Sequence, residues 1–551
     1  MKRNHLTPVY LSLAVAFGVL LGIIISRSNN TNTFINKGGD MNLVDKVFYL
    51  IEKEYVDTVN ISKLQVEAVT SVIDKMDPHS EYFEPEILEE VNEDLQGSFE
   101  GIGVTFRIEK DTVTIISTIK GGPSEKTGIM AGDRIVYVGD SLIAGVGIVN
   151  NKVMKLLKGP RGTKVDVKMF RRGVPELLDF TITRDVIPTY SVDVAYMLDE
   201  TTGYIKLEKF IATTHKEFVN AVKKLQKQGM QKLVFDLRDN AGGYLSEAVE
   251  IADEFLPKGS LIVYTQGEHR SRQYIFARRR GMLEDTPVTI LIDEGSASAA
   301  EIVAGALQDN DRGTIVGRRS FGKGLVQEQF DLGDGAGLRL TVARYYTPTG
   351  RCIQKPYDGD REKYLLEAYD RYNSGEMFSA DSIHFADSLK YTTPGGKIVY
   401  GGGGIMPDVY VPLKKDSTEY FFNKIVNASI VFQYAFDYSD AHRDEIMKYG
   451  DERSFDKKFK FTDKMWSDIL AEAKKKKVTG TDEQKAVAKP MTAQLFKAYV
   501  ARNIFGDEAF YPLYESLDEI LNVALRSNVM LRNVVASLQC DASQCGRFAP
   551  M

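Results

Sequence analysis

Ser298 and Lys323 are the two residues of this chain whose types and spacing point most directly to chemistry. Ser298 lies in Gly295-Ser296-Ala297-Ser298-Ala299-Ala300-Glu301. Lys323 lies in Ser320-Phe321-Gly322-Lys323-Gly324, with Gln327 four residues further on. A serine among small residues and a lysine between glycines can form a dyad in which a neutral amine takes the hydroxyl proton and the oxygen attacks a carbonyl. A free lysine, with a pKa of about 10.4, is charged at neutral pH, so burial must lower it. Lys323 is therefore expected to be shielded from water. Ser298-Ala299-Ala300-Glu301 is also a capping box at a helix start. The two roles agree, because a helix N-terminus leaves its first N–H groups free and carries the positive end of the dipole. Ala299 N–H then stands beside Ser298 as an oxyanion donor. In Asp236-Leu237-Arg238-Asp239-Asn240-Ala241-Gly242-Gly243, a buried strand ends and a helix begins. Gly242 and Gly243 let backbone N–H groups face a cleft without a side chain in the way.

Plainer readings compete. Capping alone accounts for Ser298 and Glu301, a surface turn for Lys323, and a strand–helix connection for the glycine pair. Gly317-Arg318-Arg319-Ser320-Phe321-Gly322-Lys323 matches the start of a phosphate-binding loop, but Gly324 stands where Ser or Thr must ligate magnesium. The six histidines show no H-E-x-x-H pair and no zinc-ligand spacing. No metal or cofactor is expected. No Gly-x-Ser-x-Gly elbow surrounds Ser298, so nothing positions His215, His269 or His384 for a histidine-assisted hydrolase.

The 551 residues suggest about three or four domains. With 43% hydrophobic and 26% charged residues they can build large cores. A net charge of −6 argues against a dedicated nucleic-acid binder, and Arg278-Arg279-Arg280 and Lys474-Lys475-Lys476-Lys477 read as solvated faces. Three cysteines, Cys352, Cys540 and Cys545, exclude a disulfide scaffold and leave pairing of the last two open. Lys2, Arg3 and His5 precede an apolar run from Val9 to Ile25. Its length is near the lower limit of roughly 17–25 residues for a spanning helix. Residues 1–27 are read as an uncleaved signal anchor in the inner membrane, with the bulk exported to the periplasm; a cleaved signal peptide is the alternative.

Residues 28–40 are polar and read as a linker. Residues 41–96 carry Val44, Val47, Phe48, Ile51 and Tyr55 at helical spacing, broken by a loop at Asp77-Pro78-His79-Ser80. Residues 97–185 alternate short apolar strands with glycine turns. Residues 186–413 alternate strands and helices as an α/β core does, with a polar insertion at about 356–395. Residues 414–551 are charged and helical.

Gly101-Ile102-Gly103-Val104 and Gly128-Ile129-Met130-Ala131-Gly132-Asp133-Arg134-Ile135 resemble a PDZ domain. That resemblance implies that a peptide's terminal carboxylate is received at Ile102 and Gly103, with the peptide adding as a strand beside Val104. Six segments in order resemble the carboxyl-terminal processing peptidases, or tail-specific proteases. They are Asp77 to Ser80, the PDZ-like segment, Asp236 to Gly243, Ser296 to Glu301, Gly322 to Gln327, and Gly404-Ile405-Met406-Pro407-Asp408. Ser298 and Lys323 lie 25 residues apart, as that family's pattern requires, which selects Ser298 over Ser296. The resemblance implies a multidomain α+β chain. Its protease core would be a layered ββα fold of the crotonase/ClpP kind, with a PDZ-like domain inserted and helical regions at both ends. It further implies Ser298 as nucleophile, Lys323 as general base, Gln327 orienting Lys323, and N–H groups of Gly242 or Gly243 and of Ala299 as the oxyanion site. The expected substrates are exported proteins with apolar C-terminal tails. In some members a basic PDZ residue senses the peptide, and Lys158 stands in that segment here. A non-catalytic PDZ scaffold or chaperone is the competing class. The region after Ser417 is left as a packing surface, an oligomer interface or an adaptor site.

Overall fold

A computed structural model describes residues 42–333, 335–414 and 418–526. Residues 42–76 form a unit of their own, made of α1 (Leu43–Glu54) and α2 (Ile61–Ile73). Each starts on an asparagine, Asn42 and Asn60, whose side chain accepts an N–H of the first turn. The anchor expected at residues 1–27 lies outside the described residues. Among the described residues no helix is long and apolar enough to cross a membrane, so the inner-membrane placement is withdrawn. Cys540 and Cys545 also lie outside them.

From Asp77 the chain runs through β1 (Glu81–Phe83) and α3 (Pro85–Gln96) into a six-stranded antiparallel sheet, one short strand of which, Ser141–Leu142, lies off the main order. Its strands lie in the order β2 (Val104–Glu109), β3 (Thr112–Thr118), β4 (Arg134–Val138), β5 (Lys164–Phe170) and β6 (Leu178–Thr183), with α4 (Asn150–Leu157) packed against them. The strand β5 alternates exposed and buried residues along its whole length, as one face on a core requires. The domain is closed at its base by the pairing of Ser98–Gly101 with Asp185–Pro188.

The core begins with β7 (Val192–Met197), antiparallel to β8 (Thr202–Leu207). After α5 (Thr214–Lys227), β9 (Lys232–Asp236) pairs parallel to β8, and α6 (Leu245–Asp253) follows. Two strands of a second sheet, β10 (Leu261–Gly267) and β11 (Arg270–Phe276), come next. The chain then returns to the first sheet with β12 (Val288–Ile292), α7 (Ala299–Asp309) and β13 (Thr314–Gly317). The long hairpin β14 (Leu325–Gly333) and β15 (Ala336–Tyr346) completes the second sheet, and β16 (Val409–Tyr410) closes the first.

The central strands are apolar on both faces. Ile205, Phe235, Ile290 and Ile315 face α5, α6 and α7. Their neighbours Tyr204, Val234, Leu291 and Val316 face the other way, onto Ile520, Leu521 and Ala524. A parallel sheet is stable only with both faces covered. Here the second cover comes from the end of the described chain.

In sequence the C-terminal helical region comes just before that cover: α8 (Tyr420–Asn427), α9 (Ile430–Met447), α10 (Asp463–Lys475) and α11 (Asp482–Phe505). It has its own core around Phe421, Trp466 and Phe496. It touches the antiparallel domain through α9: Arg443 donates to the Ala131 carbonyl (2.9 Å), and the Arg107 guanidinium lies 5.0 Å from the Phe432 ring. It touches the core through Tyr196 Oη on Glu515 (3.3 Å) and Tyr511 Oη on Asp193.

All eleven residues of α7 are buried. Its last residue, Asp309, forms a fully buried pair with Arg351 (2.7 Å), which also reaches Gln308 and the Tyr400 carbonyl. Removing one member of such a pair leaves a charge without compensation. Asp309→Ala or Arg351→Met alone is expected to cost about 3–5 kcal/mol in urea unfolding, and the double substitution Asp309→Leu/Arg351→Met clearly less than the sum.

Candidate active site

Ser298 stands between β12 and α7 with φ 55° and ψ −113°, a left-handed conformation that a residue with a Cβ adopts only under constraint. The constraints are visible. Ala297 N–H donates to the Asn240 carbonyl (2.8 Å), and Ser296 Oγ donates to the Leu237 carbonyl (2.8 Å). Ser296 is thus spent inside the fold, while Ser298 remains partly exposed.

The carboxylate of Glu301, fully buried, joins the serine turn to the lysine turn. Its Oε2 accepts Ser298 N–H (2.9 Å) and Lys323 N–H (2.8 Å). Its Oε1 accepts Gly322 N–H (2.7 Å) and Ser320 Oγ–H (2.5 Å). Burial raises this carboxyl above the usual range, and the four donors work against that rise. On the opposite side the buried hydroxyl of Tyr345 lies within hydrogen-bond reach of the carbonyls of Ser298 (3.0 Å) and Lys323 (2.8 Å). Both main chains are therefore bracketed, N–H groups on one carboxylate and C=O groups at one hydroxyl.

Lys323 is half-buried rather than sealed, although Gly322 and Gly324 on either side of it are buried. Its amine nevertheless sits below the ordinary lysine value, first through desolvation and then through the positive charge of Arg339; Glu301 and Asp77 pull the other way. Nζ donates to Gln327 Oε1 (3.0 Å), and Gln327 Nε2 donates to the His79 carbonyl (2.5 Å). That carbonyl is aimed by Asp77, whose carboxylate accepts the N–H groups of His79 and Ser80 (both 2.8 Å) and Ser80 Oγ–H (2.6 Å). The imidazole of His79 is 2.9 Å from Tyr364 Oη, and burial together with the Lys323 charge brings it down to about 4.

Gly242 passes directly against Ser298. A Cβ there would lie 2.7 Å from Ser298 Cβ and 2.9 Å from Ala299 N, and its φ is +100°. Its own N–H donates to Asn240 Oδ1 (2.9 Å). Gly243, with φ +142°, leaves no room for a Cβ, which would stand 2.0 Å from the Phe210 carbonyl oxygen. Ala299 is the first residue of α7, where an N–H has no partner in the helix ladder.

A cavity of about 870 Å³ brings Ile102, Gly103 and Val104 together with Met154 and Leu157 of α4. The strand β2 is the edge of its sheet. The Ile102 side chain is buried in the domain core, and its carbonyl accepts Ser124 N–H (3.1 Å) and Oγ–H (2.7 Å). Lys158, at the rim, is bonded to Glu93 of α3 (2.7 Å). His215 belongs to a separate cluster, 2.8 Å from Glu254 Oε1, which also accepts Arg279. Arg318 and Arg319 of the loop-like glycine segment are occupied by Glu294 and Glu376. Among the described residues no cluster suits a metal ion.

Residues 201–360 match the model of Peptidase family S41, residues 101–182 that of the PDZ domain, and residues 421–506 that of a family of unknown function. The carboxy-terminal-processing protease of Bartonella bacilliformis is 36% identical over 337 residues, covering 60% of this chain and 76% of that protein. The chain belongs to peptidase family S41. The carboxy-terminal processing protease CtpA of Bacillus subtilis is 34% identical over 359 residues, covering 64% of this chain and 76% of that one. A solved structure of a photosystem II D1 C-terminal processing protease is 28% identical, covers 68% of this chain and 87% of its own, and has a TM-score of 0.34. This S41 chain is a serine-type carboxyl-terminal processing peptidase with a PDZ domain.

Two outcomes test the geometry. Glu301→Gln replaces half of the acceptor with an amide that meets N–H donors, and it should cost about 3 kcal/mol in urea unfolding and most of the peptidase activity. Because the folded Lys323 amine is below its ordinary value, kcat/KM should rise with pH through an acid limb below that of a free lysine. His79, neutral above about 4, should add no step near the usual histidine value.

Proposed function

We propose that this peptidase cuts with a Ser298–Lys323 dyad and receives its substrates by their C-terminal tails. The bracket of Glu301 and Tyr345 carries the reading, since it holds the main chains of both residues in one frame. Ser298 Oγ attacks the scissile carbonyl while Lys323 Nζ takes its proton. The resulting ammonium returns the proton to the leaving amine, and the same lysine then activates the water that releases the acyl group. Gln327 and the His79 carbonyl hold the amine in register. For the oxyanion we favour the N–H groups of Ala299 and Gly243, because that of Gly242 is bonded to Asn240.

The tail is read at the edge of β2. Backbone N–H groups around Ile102 and Gly103 receive its carboxylate, the open edge at Val104 takes it as an added strand, and Met154 and Leu157 favour apolar residues. Substrates are proteins with an accessible apolar tail, exported proteins among them.

The full chain is incubated with an unfolded protein bearing such a tail, beside Ser298→Ala, Lys323→Ala and Gln327→Ala. The first two should lower kcat by about 10⁴-fold and Gln327→Ala by about 10²-fold. Amidating the substrate's terminal carboxylate should raise KM. Cleavage that survives Lys323→Ala would remove the dyad, and indifference to amidation would remove the carboxylate-reading role.

A further inference from the structure

The turn that carries Gly242 and Gly243 is tied to the far end of the described chain. It begins at Asp236, the last residue of β9, which is fully buried. The Asp236 carboxylate accepts Arg238 Nε (2.9 and 3.1 Å), Arg238 Nη2 (2.5 Å), Arg238 N–H (2.9 Å) and Tyr204 Oη–H (2.6 Å). The outer side of the same guanidinium is taken by Asp518: Nη1 donates to Oδ1 (2.8 Å) and Nη2 to Oδ2 (2.6 Å). Both partners are largely out of solvent. Asp518 is itself fixed, since its Oδ1 also accepts Leu521 N–H (3.0 Å) and the adjoining Ile520 and Leu521 are buried on the core sheet.

A cavity of about 750 Å³ lies at the same place, lined by Asp239, Asp293 and Tyr514 as well as by Arg238 and Asp518. The bidentate pair, in a fixed fork geometry, forms part of its wall. Beyond Arg238 the turn is strained and exacting: Asp239 has φ 59°, and Gly242 touches Ser298. Only four residues, 239–242, separate Arg238 from Gly243.

We propose that Asp518 is a positioning residue for peptide hydrolysis, holding the 236–243 turn through Arg238 so that Gly243 N–H meets the developing oxyanion. This rests on the reading of Ser298 and Gly243 above. It also gives the C-terminal helical region a part in catalysis without any contact with substrate.

The test uses the full chain carrying Asp518→Asn, Asp518→Glu or Tyr511→Phe. The last removes another bond between the same region and the core, on Asp193, without touching Arg238. Asp518→Asn should lower kcat about tenfold with KM within about twofold, as expected when preorganised donors shift slightly. Asp518→Glu should recover part of the loss, and Tyr511→Phe should leave kcat unchanged. In the Ser298→Ala background, amide exchange over residues 237–244 should quicken with Asp518→Asn and not with Tyr511→Phe. Equal losses of kcat for Asp518→Asn and Tyr511→Phe would overturn the proposal by reducing it to general docking. So would exchange in 237–244 that ignores Asp518→Asn. Absence of cleavage by the unsubstituted chain would instead defeat the dyad, and the exchange measurement would still decide whether Asp518 holds the turn.

Discussion

A carboxylate buried without exposure must find donors or lose its charge, and Glu301 finds four within two separate turns. That requirement organises the site. The helix start at Ser298 follows β12 and the glycine turn at Lys323 follows its parallel neighbour β13, so the sheet sets them side by side, and Phe321 N–H donates to the Ser296 carbonyl between them (2.9 Å). Satisfying one side chain draws both to the same point, and Tyr345 closes the opposite side. The glycines complete the arrangement by removing bulk: Gly322 approaches Gly404 N to 3.0 Å from where a Cβ would be, and Gly324 approaches Gln354 N to 2.8 Å. Ser298 pays for its place with an unusual φ, which persists because its neighbours are tied on every side.

The rest of the fold supports that point from a distance. The core sheet is greasy on both faces, so it needs two layers, and α5 to α7 provide only one. The chain meets the need by coming back after the C-terminal helical region. On the way α9 rests on the PDZ domain at Ala131 and Arg107. PDZ domain, protease core and helical region are thus parts of one set of contacts rather than beads on a linker.

How much of this was legible beforehand depended on range. Ser298, Lys323 and Gln327 stand at informative spacings, and S-x-x-E announced a helix start at Ser298. The second duty of Glu301 could not be read, because its other donors lie about twenty residues away, and two of the three are backbone N–H groups that any sequence possesses, the third being the Ser320 hydroxyl. Tyr345 looked like one aromatic residue of a strand; only the hairpin of β14 and β15 brings its hydroxyl to the two carbonyls. Asp77-Pro78-His79-Ser80 was visible as a loop, whereas its use, a main-chain carbonyl offered to Gln327, has no side-chain signature. The glycine pair was legible as a place of close approach, but which N–H was already spent depended on the rotamer of Asn240. Asp518 carried no local signal at all. The expected membrane anchor rested on residues outside the described part, and no described helix takes its place.

The second layer of the core sheet has a temporal meaning. Asp518 follows Ser298 by 220 residues, so a growing polypeptide exposes its serine and lysine turns long before the segment that covers their sheet is made. Domains assemble as units as they emerge, N-terminal ones first. The PDZ domain precedes the protease core and has a hydrophobic core of its own. The catalytic sheet stays one-sided until translation has passed the helical region. A cutting enzyme built in that order completes its core sheet only after its helical region has been made.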